Sequence, residues 1–282
     1  MRRRCGTGFL AIALIVGVVA ALAPVPAPGA AQAGKLVFCS DMAFPPMEFL
    51  ESGKPTGADI DIGTEVAKRL GRTAEFANVG FDGIIAALQA NRCDAIISGM
   101  NNTPERAKAV DFVNYLSVGQ SLMVPKGNPL KIDSFETLCG HTGAAQVGST
   151  NLDALKAASA ACQQAGKPAI DVVGLKTDTD GVLALKANRI DAYESDSPVI
   201  AYYISQDPTS FQFGGKAINA IPVGIAVRKD ETALRADIQK AIDGMYADGT
   251  MAEILAKWQL SDFALTIAAT PVATPAGTPA QG

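Results

Sequence analysis

The chain contains one histidine, His141, and one tryptophan, Trp258, among 282 residues. With a single histidine, any Ser/His/Asp arrangement has to pass through His141. The run Cys139-Gly140-His141 reads as a half-cystine and a solvated loop rather than a nucleophile with its base. Beyond the N-terminal segment there is no GxSxG, Walker loop, GxGxxG or zinc spacing. The enzyme classes with those signatures are not indicated, and no cofactor or metal is expected. A basic surplus is also missing, since 24 Lys and Arg stand against 28 Asp and Glu. Without a basic stripe, neither nucleic acid nor an anionic membrane surface is an expected partner.

Long hydrophobic runs are scarce. Arg2, Arg3 and Arg4 precede one uncharged apolar run, 9–23, which is shorter than the ~18 residues a membrane-crossing helix needs. Ala31-Gln32-Ala33 supplies small residues of the kind a signal peptidase reads. Residues 1–33 are therefore expected to be a signal peptide cleaved before Gly34. Cys5 lies ahead of the apolar run and is not placed for lipoprotein acylation. Cleavage removes three arginines and no acid, leaving 249 residues of net charge −7. The expected product is a soluble, exported chain, periplasmic or otherwise extracytoplasmic, long enough for one large domain or two lobes. The last residues, 266–282, are rich in Pro, Thr and Ala without charge or periodicity, and read as a disordered tail.

Between these ends, apolar strand-like runs alternate with amphipathic ones. Strands are expected over 35–39, 73–77 and 93–98, with helices over 61–70 and 82–91. A second set repeats the plan, with strands over 143–146, 170–174 and 190–195 and helices over 150–159 and 180–188. Strand–helix alternation implies a mainly parallel sheet with helices on both faces. An echo ties the sets together: Leu88-Gln-Ala-Asn-Arg-Cys-Asp94-Ala95 returns as Leu185-Lys-Ala-Asn-Arg-Ile-Asp191-Ala192, with six identities in eight positions. Both copies fall on a helix-to-strand junction, so two similar α/β lobes are expected. Ligands of such sheets gather at the carboxyl ends of strands, and the echoed strands end at Ser98 and at Ser195-Asp196. Two lobes facing each other across those ends make a clamshell.

The residues near these ends form a candidate site. Ser98, Gly99 and Asn101 offer hydroxyl, close backbone approach and amide; Thr103 and Pro104 suit a helix start, with Arg106 in its first turn. A guanidinium there is suited to fork onto a carboxylate, although a lone Arg is more often solvated. Asp41 follows the first strand, and Phe44 and Phe81 would serve as apolar walls or as core. In the second lobe, Ser149 and Thr150 open a helix, with Asp153 placed for a capping box on Thr150 or, alternatively, free N–H groups placed for an anion. Asp196 is suited to an ammonium group or to a turn.

The 55–62 run Pro-Thr-Gly-Ala-Asp-Ile-Asp-Ile, the 41–48 loop, Thr103-Pro104-Glu105-Arg106 and Arg189-Ile190-Asp191-Ala192 together resemble the family 3 extracellular solute-binding proteins, the amino-acid receptors of ABC importers. The resemblance spans about 35–262. It implies a two-lobed periplasmic-binding-protein-like clamshell joined by two hinge strands, near 118–123 and 219–224. Lobe 1 would then be discontinuous, 34–120 with 222–265, and lobe 2 would be 121–221. It implies a monomer that closes on a zwitterion and hands it to a membrane permease. Arg106 would take the α-carboxylate, helped by Ser149 and Thr150, and Asp196 the α-ammonium. Phe44 and Phe81 would sandwich the side chain, with Asp41 reading its far end. Two departures stand out: Ala58 where the family usually has an aromatic, and Asn101-Asn102 in place of the commoner Thr-Ile. Asp41 and Glu48 point to a cationic or polar side chain.

Four cysteines remain after cleavage, an even number in an exported chain. Cys139–Cys162 is expected as a bridge within lobe 2. Cys39 and Cys93 are either bridged or two buried thiols, because their offset on neighbouring strands threatens the ~7 Å Cα limit. The alternative function is a cyclohexadienyl-type dehydratase on the same fold, for which Glu194, at the same strand parity as Asp196, would be the acid.

Overall fold

The computed structural model describes residues 34–265; the expected signal peptide and tail lie outside the described residues. The chain runs β1 (Lys35–Ser40), a small hairpin sheet of β2 (Ala43–Phe44), β3 (Glu48–Glu51) and β4 (Lys54–Thr56), then α1 (Ala58–Arg69), β5 (Thr73–Asn78), α2 (Ile84–Gln89), β6 (Ala95–Ile96) and the long β7 (Val110–Pro125). It continues through β8 (Thr142–Gln146), α3 (Thr150–Gln164), β9 (Asp171–Leu175), α4 (Asp178–Lys186), β10 (Ala192–Asp196), α5 (Ser197–Gln206) and β11 (Phe211–Phe213). The second long strand β12 (Ile218–Arg228) and helices α6 (Thr232–Asp248) and α7 (Thr250–Lys257) complete it.

One hydrogen-bonded sheet runs in the order β5-β1-β6-β12-β7-β10-β8-β9, with β11 paired to β7. The order is the same read inward from either edge: second, first and third strand of a lobe, mutually parallel, then an antiparallel long strand. The two long strands pair antiparallel and pass through both lobes, with register shifts between Ile218 and Ile221 and between Val223 and Gly224. Each half-sheet is covered on both faces. Around β1 and β6, α1, α6 and α7 bury Leu36, Phe38, Ile62, Val66, Ile238 and Met245, while α2 covers Cys39, Ile84, Leu88 and Ile96 on the other side. Around β8 and β10, α3 covers Ala145, Leu155 and Ala192, and α4 with α5 covers Ala144, Leu185, Tyr193 and Ile200. These are two cores of one design.

The echoed sequence builds the same device in both lobes. Asn91 (φ 56°) and Asn188 (φ 53°) take the left-handed conformation just past α2 and α4, one of the few jobs asparagine tolerates without a Cβ penalty comparable to other residues. Arg92 N–H then donates to Ala87 O and Asn91 N–H to Leu88 O, both at 3.0 Å; Arg189 to Ala184 O at 2.9 Å and Asn188 to Leu185 O at 3.0 Å repeat the pattern. The next echoed residue clasps the neighbouring strand. Val37 N–H donates to Asp94 Oδ2 at 2.8 Å, and Thr142 N–H to Asp191 Oδ2 at 2.9 Å.

Several expected details differ. Helix α1 starts at Ala58, three residues before the expected 61, and β6 covers only two of the residues expected over 93–98. The segment at Arg106 is a single 3-10 turn, Arg106–Lys108, with Glu105 rather than Thr103 at its N-cap, although Thr103 Oγ1 still accepts Arg106 N–H at 3.2 Å. Both cysteine pairs are bridged, each with Cα atoms 5.7 Å apart. The feared offset of Cys39 and Cys93 does not arise, because Cys93 lies in the turn before β6, beneath α2, on the face to which Cys39 points.

Candidate functional site

A cavity lies between the two lobes, at the carboxyl ends of β1, β6, β8 and β10. Eight of the ten expected site residues line it: Asp41, Phe44, Phe81, Ser98, Gly99, Asn101, Ser149 and Asp196. Thr150 and Arg106 stand beside it and tie the lobes together rather than forming its wall.

On the lobe-1 side, Ser98 Oγ accepts Asp41 N–H at 3.0 Å and donates to Glu48 Oε1 at 2.6 Å. Gly99 adopts φ +52°, and a Cβ there would meet the Phe44 ring at 2.5 Å, so glycine is what lets Phe44 pack against this turn. Gly99 N–H donates to Asp59 Oδ2 at 2.7 Å, and Tyr115 OH to Asp59 Oδ1 at 2.7 Å. Burial raises Asp59 to about 6 and, with Asp59 beside it, lifts Glu48 well above the carboxylate range. Glu48 and Asp59 are thus two neighbouring buried carboxyl groups, the charge on Asp59 disfavouring ionisation of Glu48.

On the lobe-2 side, Ser149 rather than Thr150 is the N-cap of α3. Its Oγ accepts Leu152 N–H at 3.1 Å and donates to Gln146 O at 2.7 Å. The expected box between Thr150 and Asp153 is not formed, because the helix begins one residue earlier. The Ser149 hydroxyl is thereby committed to the cap, and the first-turn N–H groups of Thr150 and Asn151 are the ones the helix does not itself use. Asp196 is the N-cap of α5 but makes no side-chain cap bond. Burial lifts its pKa to about 7, against the pull of the Asn151 amide, the Arg106 guanidinium and the Asn101 amide.

Arg106 and Asp196 do not meet directly. Arg106 Nη1 donates to Asn101 O at 2.9 Å within its own lobe, and Nη2 to Gly148 O at 3.0 Å across the cleft. Its guanidinium lies 5.2 Å above the Phe81 ring centroid. Two more bonds cross: Thr150 Oγ1 to Asn101 Oδ1 at 2.7 Å and Gln146 Nε2 to Asp41 Oδ2 at 2.7 Å. Gly148 (φ +80°) sits so close to lobe 1 that a Cβ would lie 3.0 Å from Asp82 Cα. This is a closed clamshell.

The wall also contains Glu48, Gln146, Asn151, Asp178, Glu194 and Ser195. Gln146 ends β8, and Asp178 opens α4 just after β9. Looking for polar residues at the carboxyl end of every strand, and not only of the echoed pair, finds both. Asp178 Oδ1 accepts Tyr193 OH and Ser195 Oγ, each at 2.6 Å, and burial raises its pKa to about 6. Glu194 was legible only through its parity with Asp196. Among the described residues there is no cluster of metal-binding side chains and no helix long and apolar enough to cross a membrane.

This geometry, two α/β lobes closed on a polar cavity at their strand ends, defines a class of solute receptor. Residues 36–261 match the bacterial extracellular solute-binding proteins, family 3, and the chain belongs to that family. It is 34% identical to the glutamine-binding protein of an ABC transporter of Bacillus subtilis, over 75% of each chain. Among solved structures it is similar to an ancestral arginine-binding protein bound to arginine, with 38% identity and a TM-score of 0.74, over 80% of this chain and 98% of that one. A further similar structure is an ancestral amino acid-binding protein described as a precursor of cyclohexadienyl dehydratase, with 33% identity, a TM-score of 0.73 and coverage of 80% and 95%. These relatives are binding proteins. The chain is accordingly a binding protein rather than an enzyme.

Proposed function

We propose that the protein captures an amino acid by closure of its lobes and presents it to the permease of an ABC importer. The single observation that carries this is the closed cavity itself, whose walls come from both lobes and whose polar groups suit the two ends of a zwitterion. Asp196, free of helix-capping duty, is placed for the α-ammonium. The Arg106 guanidinium and the first-turn N–H groups of α3 are suited to the α-carboxylate once Arg106 exchanges a carbonyl partner for it. Phe44 and Phe81 flank the side chain, and Ser98, Gly99 and Asn101 complete the lobe-1 wall. Asp41 gives one oxygen to Gln146, which leaves the other for the far end of the ligand.

In this reading residues 34–120 with 222–265 move as one lobe and 121–221 as the other. The bends in β12 near Ile218 to Ile221 and Val223 to Gly224 are the natural places for rotation. Among the described residues, five carboxyl groups line the cavity (Asp41, Glu48, Asp178, Glu194 and Asp196) and no Lys or Arg does. That imbalance favours a ligand with a cationic side chain. The test is a thermal-shift scan of the purified chain, stripped of bound solute, against the common amino acids. A ligand at 100 times its Kd adds ~2.7 kcal/mol, roughly 5–11 °C for a chain of this size. No shift with any amino acid defeats the proposal.

A further inference from the structure

Among the described residues, Glu194 is the carboxyl group left with the fewest partners. Its side chain is 1% exposed, and neither carboxylate oxygen has a hydrogen-bond partner in the protein. An ionisable group buried without partners costs folding free energy, so a binding protein keeps one where a ligand repays it. Its position says which ligand group. Along β10, Ala192 packs under α3, while Tyr193 and Ser195 point to the opposite face, where they bond Asp178. Glu194 and Asp196 therefore share the α3 face, two residues apart, roughly 6.5 Å along the strand. Both line the cavity. No Lys or Arg forms an ion pair with Glu194 among the described residues, and the one cation bearing on Asp196 is Arg106.

We propose that Glu194 is a specificity-determining residue: together with Asp196 it gives lobe 2 a two-carboxyl pole that accepts a second cationic nitrogen of the ligand, and so selects basic amino acids over their neutral isosteres. This rests on the amino-acid-receptor reading and deepens it. A single α-ammonium donates three N–H groups and is satisfied by one carboxylate and backbone; a second carboxyl with two open oxygens serves a second ammonium or a guanidinium. Burial, with Asp196 beside it, raises Glu194 to about 9. The group is thus held uncharged at neutral pH and becomes a carboxylate when a cation arrives. A purely structural Glu194 would be served equally well by glutamine, which has the same shape and no charge.

The test is calorimetry on the purified full chain and on Glu194→Gln with two matched pairs, arginine against citrulline and ornithine against glutamine. The wild-type chain is expected to prefer the cationic member of at least one pair by about tenfold or more. In Glu194→Gln the preference falls to within about threefold, the larger loss falling on the cationic member. Glu194→Leu serves as the second variant: it shows the same loss of preference, and its unliganded form melts higher than wild type because an unpaired buried carboxyl is gone. If both variants keep the wild-type preference, Glu194 is not a ligand-reading group, and the receptor reading stands. A wild-type chain that binds only neutral amino acids overturns the Glu194 proposal in the same way. A chain that binds no amino acid overturns both.

Discussion

Thr150, in the first turn of α3, donates its hydroxyl proton to Asn101 Oδ1 on the opposite lobe at 2.7 Å. The bond exists only when the lobes are together, so it is part of the closure equilibrium rather than of either lobe's stability. The Asn101 amide Nδ2 is buried without a hydrogen-bond partner, yet lies near enough to help draw down the Asp196 pKa.

Asn101→Ala removes that cross-cleft acceptor and the unpaired amide together. The expected result is a ligand affinity weaker by about 1 kcal/mol, roughly five- to tenfold, with an unliganded melting temperature within a degree or two of wild type. Calorimetry and melting curves on the same preparation check this. A large fall in melting temperature would mean that Asn101 is structural.

Arg106 makes three contacts that together join ligand wall, loop and opposite lobe: Asn101 O, Gly148 O and the Phe81 ring. Arg106→Ala is expected to weaken binding at least a hundredfold, about 3 kcal/mol, from loss of charge-assisted bonds. Arg106→Lys keeps the charge but not the fork, and should recover only a fraction. Circular dichroism of both variants should match wild type, since Arg106 belongs to neither core.

Acid and alkali should act on binding and on stability in opposite directions. Burial raises Asp196 to about 7 in the folded chain, and an ammonium ligand needs it ionised. Affinity therefore falls by up to about tenfold per unit as pH drops below about 7. For the unliganded chain, Asp59 and Asp178, both raised to about 6, join Asp196. Each binds its proton more tightly folded than unfolded, so each contributes stability in full below about pH 4 and loses it as pH rises through 6 to 7. Lys186 and Thr250 hold Asp207 and Asp248 below the usual range, which matters only in stronger acid. The unliganded melting temperature should rise from pH 8 to pH 5 while ligand affinity drops. Parallel movement of the two would refute the assignment.

The helix ends of the echo make a local prediction. Asn188→Gly keeps the left-handed conformation at no steric cost and should leave stability within about 0.5 kcal/mol of wild type, whereas Asn188→Val should cost about 1–2 kcal/mol. The same substitutions at Asn91 should behave alike. Denaturant melts of the four variants check both lobes at once.

That echo is also where the sequence was most informative, because its residues do local work: Asn takes a conformation few others tolerate, and Asp caps the adjoining strand within the same motif. The expected α1 start came three residues late for a nonlocal reason. Asp59 looks like a surface residue but is fully buried, bonded to Gly99 N–H and to Tyr115 OH, 40 and 56 residues away. Likewise β6 is short because the chain leaves the sheet after Ile96 to form the cleft wall. Arg106 and Asp196 were recognisable as opposite charges on facing lobes. That each would be separated from the other, one held by carbonyls and one beside two asparagines, depended on how closely the lobes approach.

The strand order carries a consequence for biogenesis. Strand β6 lies between β1 and β12, with Ile96 beside Cys39 on one side and Ala226 on the other. One neighbour was made 57 residues earlier; the other arrives 130 residues later. Lobe 1 thus waits, half-paired, while all of lobe 2 is synthesised and inserted, and only the arrival of β12 and the helices after it covers its open edge. Long-range closure of this kind slows folding and prolongs the exposure of a sticky strand.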